Sequence, residues 1–264
     1  MDRKLGMYLG SLPKTPIPER LRKIKDAGFE TFFTFVHSKE EALSIREEAD
    51  KLGLCFESIH APFDGINTIW CPGVDCMSIK KRLYDSIDYS EAAGVPILVL
   101  HVSSGWFPPQ LSDIGFERFD GLVEYAAGKN VTLAFENLRK VGNLAAIMER
   151  YEKVDYVKFC YDFGHEHCYT ETVHFVDLYG PKLAYTHIHD NHGRNHEDLW
   201  ADPDEHLMVF NGNIDYADIM ARLNAVNYDG SLTLEVTKDR EYTEMSDEAY
   251  LKLAYDRLVK ISKM

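Results

Sequence analysis

The sequence predicts an eight-stranded parallel (β/α)8 barrel. Three observations predict it. Short apolar runs alternate with longer amphipathic stretches from end to end. The short runs are almost continuously apolar, as strands covered by helices must be. The length, 264 residues, suits one barrel. An open doubly wound sheet is the competing arrangement, but Gly10-Ser11-Leu12-Pro13 after the first run is not a phosphate-cradling glycine fingerprint. No linker, low-complexity tract or larger repeat interrupts the alternation, so residues 1–264 read as one domain.

The elements follow in order. Residues 4–9 read as the first strand and 18–27 as a helix stopped by Gly28. TFFTFV (31–36) is the second strand, and 39–52 a helix stopped by Gly53. Strand three covers 55–59, with a helix over 78–93 that ends at Gly94. ILVL (97–100) is strand four, before a helix at 116–127. Residues 131–135 and 143–151 form the fifth pair. Strand six covers 157–161, with a weaker helix near 173–179. Strand seven is 183–188, and a long polar loop leads to a helix at 216–224. Strand eight is 232–236, and 247–261 is the closing helix.

Composition narrows the function classes. Hydrophobic residues at 45% provide a large core, and the net charge of −14 opposes nucleic acid and anionic membranes at long range. The start MDRKLGMYLGSLP lacks the apolar core and cleavage site of a signal peptide, and no apolar run approaches the ~20 residues of a membrane span. Five cysteines without metal-finger spacing read as reduced thiols, although Cys71 and Cys76 could meet across a loop. These features together predict a soluble cytoplasmic protein, as a monomer or a homodimer.

In a barrel the C-terminal strand ends converge on one mouth. Strand three ends in His60 (IHAPFDGIN) and strand four in His101 (LVLHVSSGW). Strand five ends in Glu136 (LAFENLR), and strand six in Asp162 with His165 three later (CYDFGHEH). Strand seven carries His187 (YTHIHDN) and strand eight Glu235 (LTLEV). The loop after strand seven adds Asp204 and His206 (DPDEH).

A lone His or Glu at a strand end is usually a satisfied polar group or a cap. Six consecutive strands ending in ligand-type residues are improbable by chance and predict a metal site. Imidazole with carboxylate suits Zn2+ or Mn2+, and also Fe2+ or Co2+. Nine ligands exceed the needs of one ion, so two or three ions sharing a carboxylate are expected. Four carboxylates against three divalent ions leave positive charge for a phosphate or an enediolate. His167, His189, His192 and His196 are expected behind the ligands or in solvent, with Asp190 orienting a ligating His. His37 and His174 receive no role. Trp70, Trp106 and Trp200 fall in predicted mouth loops, where they could stack on a sugar. Arg139 and Arg194 are candidates for an anionic substrate group. The loop 103–113, with Pro108-Pro109, is the candidate lid.

These residues resemble the xylose-isomerase-like barrel superfamily along essentially the whole chain. Its single-metal ketose epimerases hold the ion with a Glu, an Asp, a His and a Glu after strands five to eight, which Glu136, Asp162, His187 and Glu235 match in order. The endonuclease IV branch adds ligands that His60, His101, His165, Asp204 and His206 match, and the run NGNID has the look of that branch. HAPFDGIN, HVSSGW, AFENLR, CYDFGHEHC and THIHDN are similar to stretches of bacterial sugar phosphate isomerases/epimerases.

The resemblance implies a metal-dependent isomerase or epimerase of a sugar or sugar phosphate. Such an enzyme moves a proton through a metal-stabilised enediolate, with Glu136 and Glu235 as acid and base. A metal-bridging Glu makes a poor base, so full occupancy stands in tension with that mechanism. The alternative is an endonuclease IV-like trinuclear zinc phosphoesterase. Against a DNA substrate stand the negative charge and the few basic loop residues, Arg139, Lys140, Arg194, Lys238 and Arg240. A metal-binding barrel without catalysis is a third class, and the complete ligand set argues against it.

Overall fold

A computed structural model describes residues 2–264. Eight parallel strands are joined in the order β7-β6-β5-β4-β3-β2-β1-β8. They are β1 Leu5–Tyr8, β2 Thr31–Thr34, β3 Cys55–His60, β4 Ile97–Leu100, β5 Thr132–Glu136, β6 Val157–Asp162, β7 Leu183–His187 and β8 Leu232–Leu234. The first and last strands pair through Leu5 with Leu232, Gly6 with Thr233 and Met7 with Leu234. The remaining seam closes at Ile188, whose N–H donates to Thr233 O while its carbonyl accepts from Glu235 N–H, both at 2.9 Å. The sheet is therefore a barrel. At Gly6 a Cβ would stand 2.5 Å from the hydroxyls of both Thr31 and Thr233, so this seam requires the glycine.

A helix follows each strand: α1 Ile17–Ala27, α2 Lys39–Leu52, α3 Met77–Ala93, α4 Asp113–Ala127, α5 Val141–Arg150, α6 Phe175–Tyr179, α7 Tyr216–Ala225 and α8 Asp247–Ser262. The caps explain their starts. Ser38, Ser112, Asp215 and Ser246 each accept from the backbone N–H three residues on. Gly53 ends α2 at φ +61°, a conformation glycine adopts without strain.

The core has two parts. The larger lies between strands and helices. The smaller fills the barrel beneath its mouth with Phe33, Val99, Ala134, Cys160 and Tyr185. Its bulk seals the floor on which the polar strand ends stand.

Short elements not expected from periodicity include the 3-10 helix Ile66–Trp70, a helical turn Phe163–His165 running into a π-helical turn Glu166–Thr170, and the turn Lys238–Glu241. The five cysteines are free thiols. Among the described residues no helix is long and apolar enough to cross a membrane.

Candidate metal centre

The strand ends carry their ionisable residues to one mouth. His60, Glu136, Asp162 and His187 are the last residues of β3, β5, β6 and β7, and His101 and Glu235 lie one residue past β4 and β8. His165 is placed by a cap: Asp162 Oδ1 accepts from His165 N–H at 2.6 Å and starts the turn that carries it. Asp204 and His206 come from the long loop between β7 and α7.

The ligand atoms fall into three groups, each within 4.8 Å: His60, His101 and Glu136; Glu136, Asp162, His187 and Glu235; and His165, His189, Asp204 and His206. All nine ligand positions expected from sequence are brought together, and His189 is a tenth. Glu136 belongs to two groups.

Backbone carbonyls set the tautomers. His60 Nδ1 donates to Ala61 O at 2.8 Å, His165 Nδ1 to Asn137 O at 3.0 Å and His206 Nδ1 to Glu235 O at 3.1 Å. A carbonyl only accepts, so each neutral ring turns its Nε2 lone pair inward. Those lone pairs then face carboxylate oxygens: His60 to Glu136 at 3.2 Å, and His165 and His206 each to Asp204 at 3.3 Å. Lone pair against lone pair is repulsive unless a proton or a metal ion lies between.

The separations also suit an ion. Two ligands at about 2.0–2.1 Å on one tetrahedral ion stand roughly 3.3 Å apart. His101 Nε2 to Glu136, His187 Nδ1 to Glu136 and His187 Nδ1 to Glu235 measure 3.1, 3.3 and 3.1 Å. Asp162 Oδ2 and Asp204 Oδ1 are buried and have no hydrogen-bond partner among the described residues. The residues fit divalent metal ions.

The electrostatics agree. Burial disfavours an ionised Glu136, but His187, His101 and His165 outweigh it and hold the carboxyl well below the usual carboxylate range. Burial likewise opposes a charged His206, yet the bond to and charge of Asp204 push it up to about 9. His165 is raised in the same way, against burial, by Asp162 and Asp204. Each imidazole competes for positive charge, and a metal would supply it.

Aromatic rings hold the imidazoles in place. Phe35 stacks on His60 at 4.6 Å, Phe63 on His101 at 4.3 Å and Phe33 on His187 at 4.5 Å. A cavity of about 300 Å³ opens above the ligands, lined also by Phe35, Phe63, Leu138, Arg139 and Tyr169. Phe35 and Phe63 carry no sequence signal beyond their closeness to strand ends.

The structure places the remaining candidates in different surroundings, some as expected and some not. His189 is fully buried within the third group. Asp190 orients no histidine; its carboxylate accepts from the backbone N–H of Asn191, Phe210 and Ile214 and so organises the loop. Trp70 has no free face for a substrate. It is buried against Phe116 and Phe119, and its Nε1 donates to Val102 O at 2.8 Å. Trp106 packs edge-on to Tyr169 and is not among the residues that line the cavity. Trp200 is 65% exposed and leans on Phe107, also outside the lining. Arg194 does not reach the cavity either. Arg139 does: it stacks over Tyr169 at 4.0 Å and pairs with Asp202 at 2.7 Å. His192 and His196 are exposed and pair with Glu205 and Glu171, away from the ligands. His167 lies outside the ligand groups and bonds to Asn213 Oδ1 at 2.6 Å.

A family model described as "Xylose isomerase-like TIM barrel" matches residues 21–259. An uncharacterized protein of Sinorhizobium fredii is 30% identical over 198 residues, 70% of this chain and 60% of that relative. The match therefore leaves about two fifths of that relative's length uncovered. An uncharacterized protein of Methanocaldococcus jannaschii is 22% identical over 229 residues, 78% of this chain and 73% of the relative. Similar solved structures include 3-keto-D-glucoside 4-epimerase from E. coli, at TM-score 0.74, 17% identity and full coverage of both chains. Another is D-psicose 3-epimerase from Clostridium cellulolyticum H10, at TM-score 0.76, 13% identity and 98% coverage of each chain. A D-tagatose 3-epimerase-like protein has TM-score 0.74, 19% identity and 98% coverage of each. At these identities the likeness to the solved structures is one of fold.

Proposed function

The chain belongs to the xylose isomerase-like TIM barrel family, and from that premise we propose that it is a single-domain, divalent-metal-dependent isomerase or epimerase of a sugar or sugar phosphate. The observation that carries this reading is the convergence of Glu136, Asp162, His187 and Glu235, from four consecutive strands, beneath a sugar-sized cavity. The epimerases among the similar folds support the same substrate class. The net charge of −14 favours a small substrate over a polyanion.

Glu136, Asp162, His187 and Glu235 would hold the working ion, with His60 and His101 completing a second position on Glu136. When bound, a divalent ion polarises the carbonyl and hydroxyl oxygens of the sugar. Glu235 is the more open of the two glutamates, at 13% side-chain exposure against 1% for Glu136. We assign Glu235 the proton removed from the carbon next to the carbonyl. Glu136, held strongly anionic by its histidines, is the poorer base and holds no proton to return; its part is to bind the ion, while Glu235 carries the proton from one carbon to the next. Arg139 is the one cation of the proposed set at the cavity and would face a phosphate or hydroxyl of the substrate.

The sharing of Glu136 between two ligand groups favours a second reading, phosphoester hydrolysis by an activated water between two ions. One experiment separates the two. The zinc- or manganese-loaded protein is incubated in deuterated water with a panel of ketoses and ketose phosphates, and both carbon-bound deuterium and free phosphate are measured. Deuterium next to the carbonyl supports the isomerase reading. Phosphate release without exchange overturns it in favour of hydrolysis.

A further inference from the structure

Resting on the metal-centre reading above, we propose that His189 is a fourth protein ligand to the ion held by His165, Asp204 and His206. This ion is then held by four protein side chains and fastens the mouth loop to the barrel.

The state of His189 carries the inference. Its side chain is fully buried, yet neither ring nitrogen has a hydrogen-bond partner among the described residues. Buried imidazole nitrogens are ordinarily satisfied, and leaving both unpaired is costly. Nε2 lies 3.2 Å from Asp162 Oδ1 and 3.5 Å from Asp204 Oδ1 without hydrogen-bond alignment, and Asp204 Oδ1 is itself an orphan. These are separations of ligands that share an ion.

The ring is also built into place. It stacks on His206 with centroids 3.8 Å apart and planes 12° from parallel. Its other boundary is Gly164, where a Cβ would stand 2.0 Å from His189 Cε1. The glycine of the Asp162-Phe163-Gly164-His165 run therefore makes room for a second histidine.

Donor set separates the three groups. His60, His101 and Glu136 are three ligands and leave a tetrahedral position open, and Glu136, Asp162, His187 and Glu235 are three carboxylates with one imidazole, an oxygen-rich set that suits an ion taking further oxygen ligands from a substrate. His165, His189, Asp204 and His206 are four, with three imidazoles and one carboxylate, enough to fill a tetrahedral zinc ion with protein ligands. Those four residues lie at the end of β6, just past β7 and far along the following loop. His206 holds φ +47°, a left-handed conformation uncommon among non-glycine residues. An ion joining these points would order the segment that carries Trp200 and Asp202.

The test uses the full chain loaded with zinc. Metal is counted by mass spectrometry during dialysis against a chelator, and the same samples are exposed to protease. Wild type should retain one ion longest. His189→Asn should lose that one equivalent, keep the others, and become cleavable between β7 and α7. Because the variant could fail to fold, the visible spectrum of cobalt-loaded wild type gives a second reading: the slowest-leaving cobalt should show strong tetrahedral absorption. Wild-type metal content, release and protease resistance in His189→Asn, or a weak six-coordinate spectrum for that ion, overturns the inference alone. A wild type that binds no divalent ion overturns it together with the proposed function.

Discussion

His60 Nε2 lies 3.2 Å from Oε2 of Glu136, while Nδ1 of the same ring donates to Ala61 O at 2.8 Å. The ring thus presents its free lone pair to an anion inside a buried site. His101 approaches the same oxygen at 3.1 Å, and His187 reaches the other carboxylate oxygen at 3.3 Å. One carboxylate stands between two groups of ligands.

Removing the shared carboxylate should therefore cost more metal than removing one histidine. Glu136→Gln is expected to lose two equivalents of bound ion, and His60→Asn only one. Metal analysis after equilibrium dialysis checks this. Equal losses in the two variants would mean that Glu136 serves a single ion.

Much of this site was legible because barrel topology turns strand ends into neighbours. His60, Glu136, Asp162 and His187 needed only correct strand ends, and these depend on apolar runs that read clearly. His189 shows where the reading stopped short. In a strand, residues two apart share a face, so His187-Ile188-His189 already held a signal for two inward rings. The mouth loops were less legible. Trp70 looked like a loop aromatic because Ile66–Trp70 has no helical period of its own; packing under α4 orders it. Loop side chains are positioned by long-range contacts that local pattern does not encode.

Trp70→Ala should destabilise the fold and leave catalysis per folded molecule unchanged. The indole is buried, and Gly115 in α4 leaves it the space a Cβ would take, at 2.1 Å. Truncating a buried aromatic costs about 3–5 kcal/mol. Urea denaturation of both proteins measures the loss. A stable variant with a raised KM would instead return Trp70 to the substrate.

Arg139 joins several mouth loops. Its guanidinium stacks on Tyr169 and on Trp106, at 4.0 and 5.0 Å, and its Nη2 donates to Asp202 at 2.7 Å. Lysine keeps the charge and loses the planar stacking. A partly desolvated cation–π contact is worth about 2 kcal/mol, so Arg139→Lys should raise KM roughly tenfold or more. Metal content should not change. Unchanged steady-state kinetics would show that the stack serves only the free protein.

Asp247 ties the end of the chain to its beginning, and its effect depends on pH. It opens α8 and accepts from Lys238 at 2.7 Å, Thr15 at 2.7 Å and Lys23 at 3.1 Å. Burial works against its charge, but these donors prevail and lower its pKa from 3.8 to about 2. The folded carboxyl therefore binds its proton less readily than the unfolded one. Its contribution is fully present above about pH 4 and declines as pH falls toward 2, because the unfolded chain takes up the proton first. Asp247→Asn should lose about 1–2 kcal/mol at neutral pH. The gap between the two proteins in urea midpoint should stay constant from pH 7 to about 4 and narrow below it. A gap that stays constant into acid would show that the carboxylate is no better held in the folded chain than in the unfolded one.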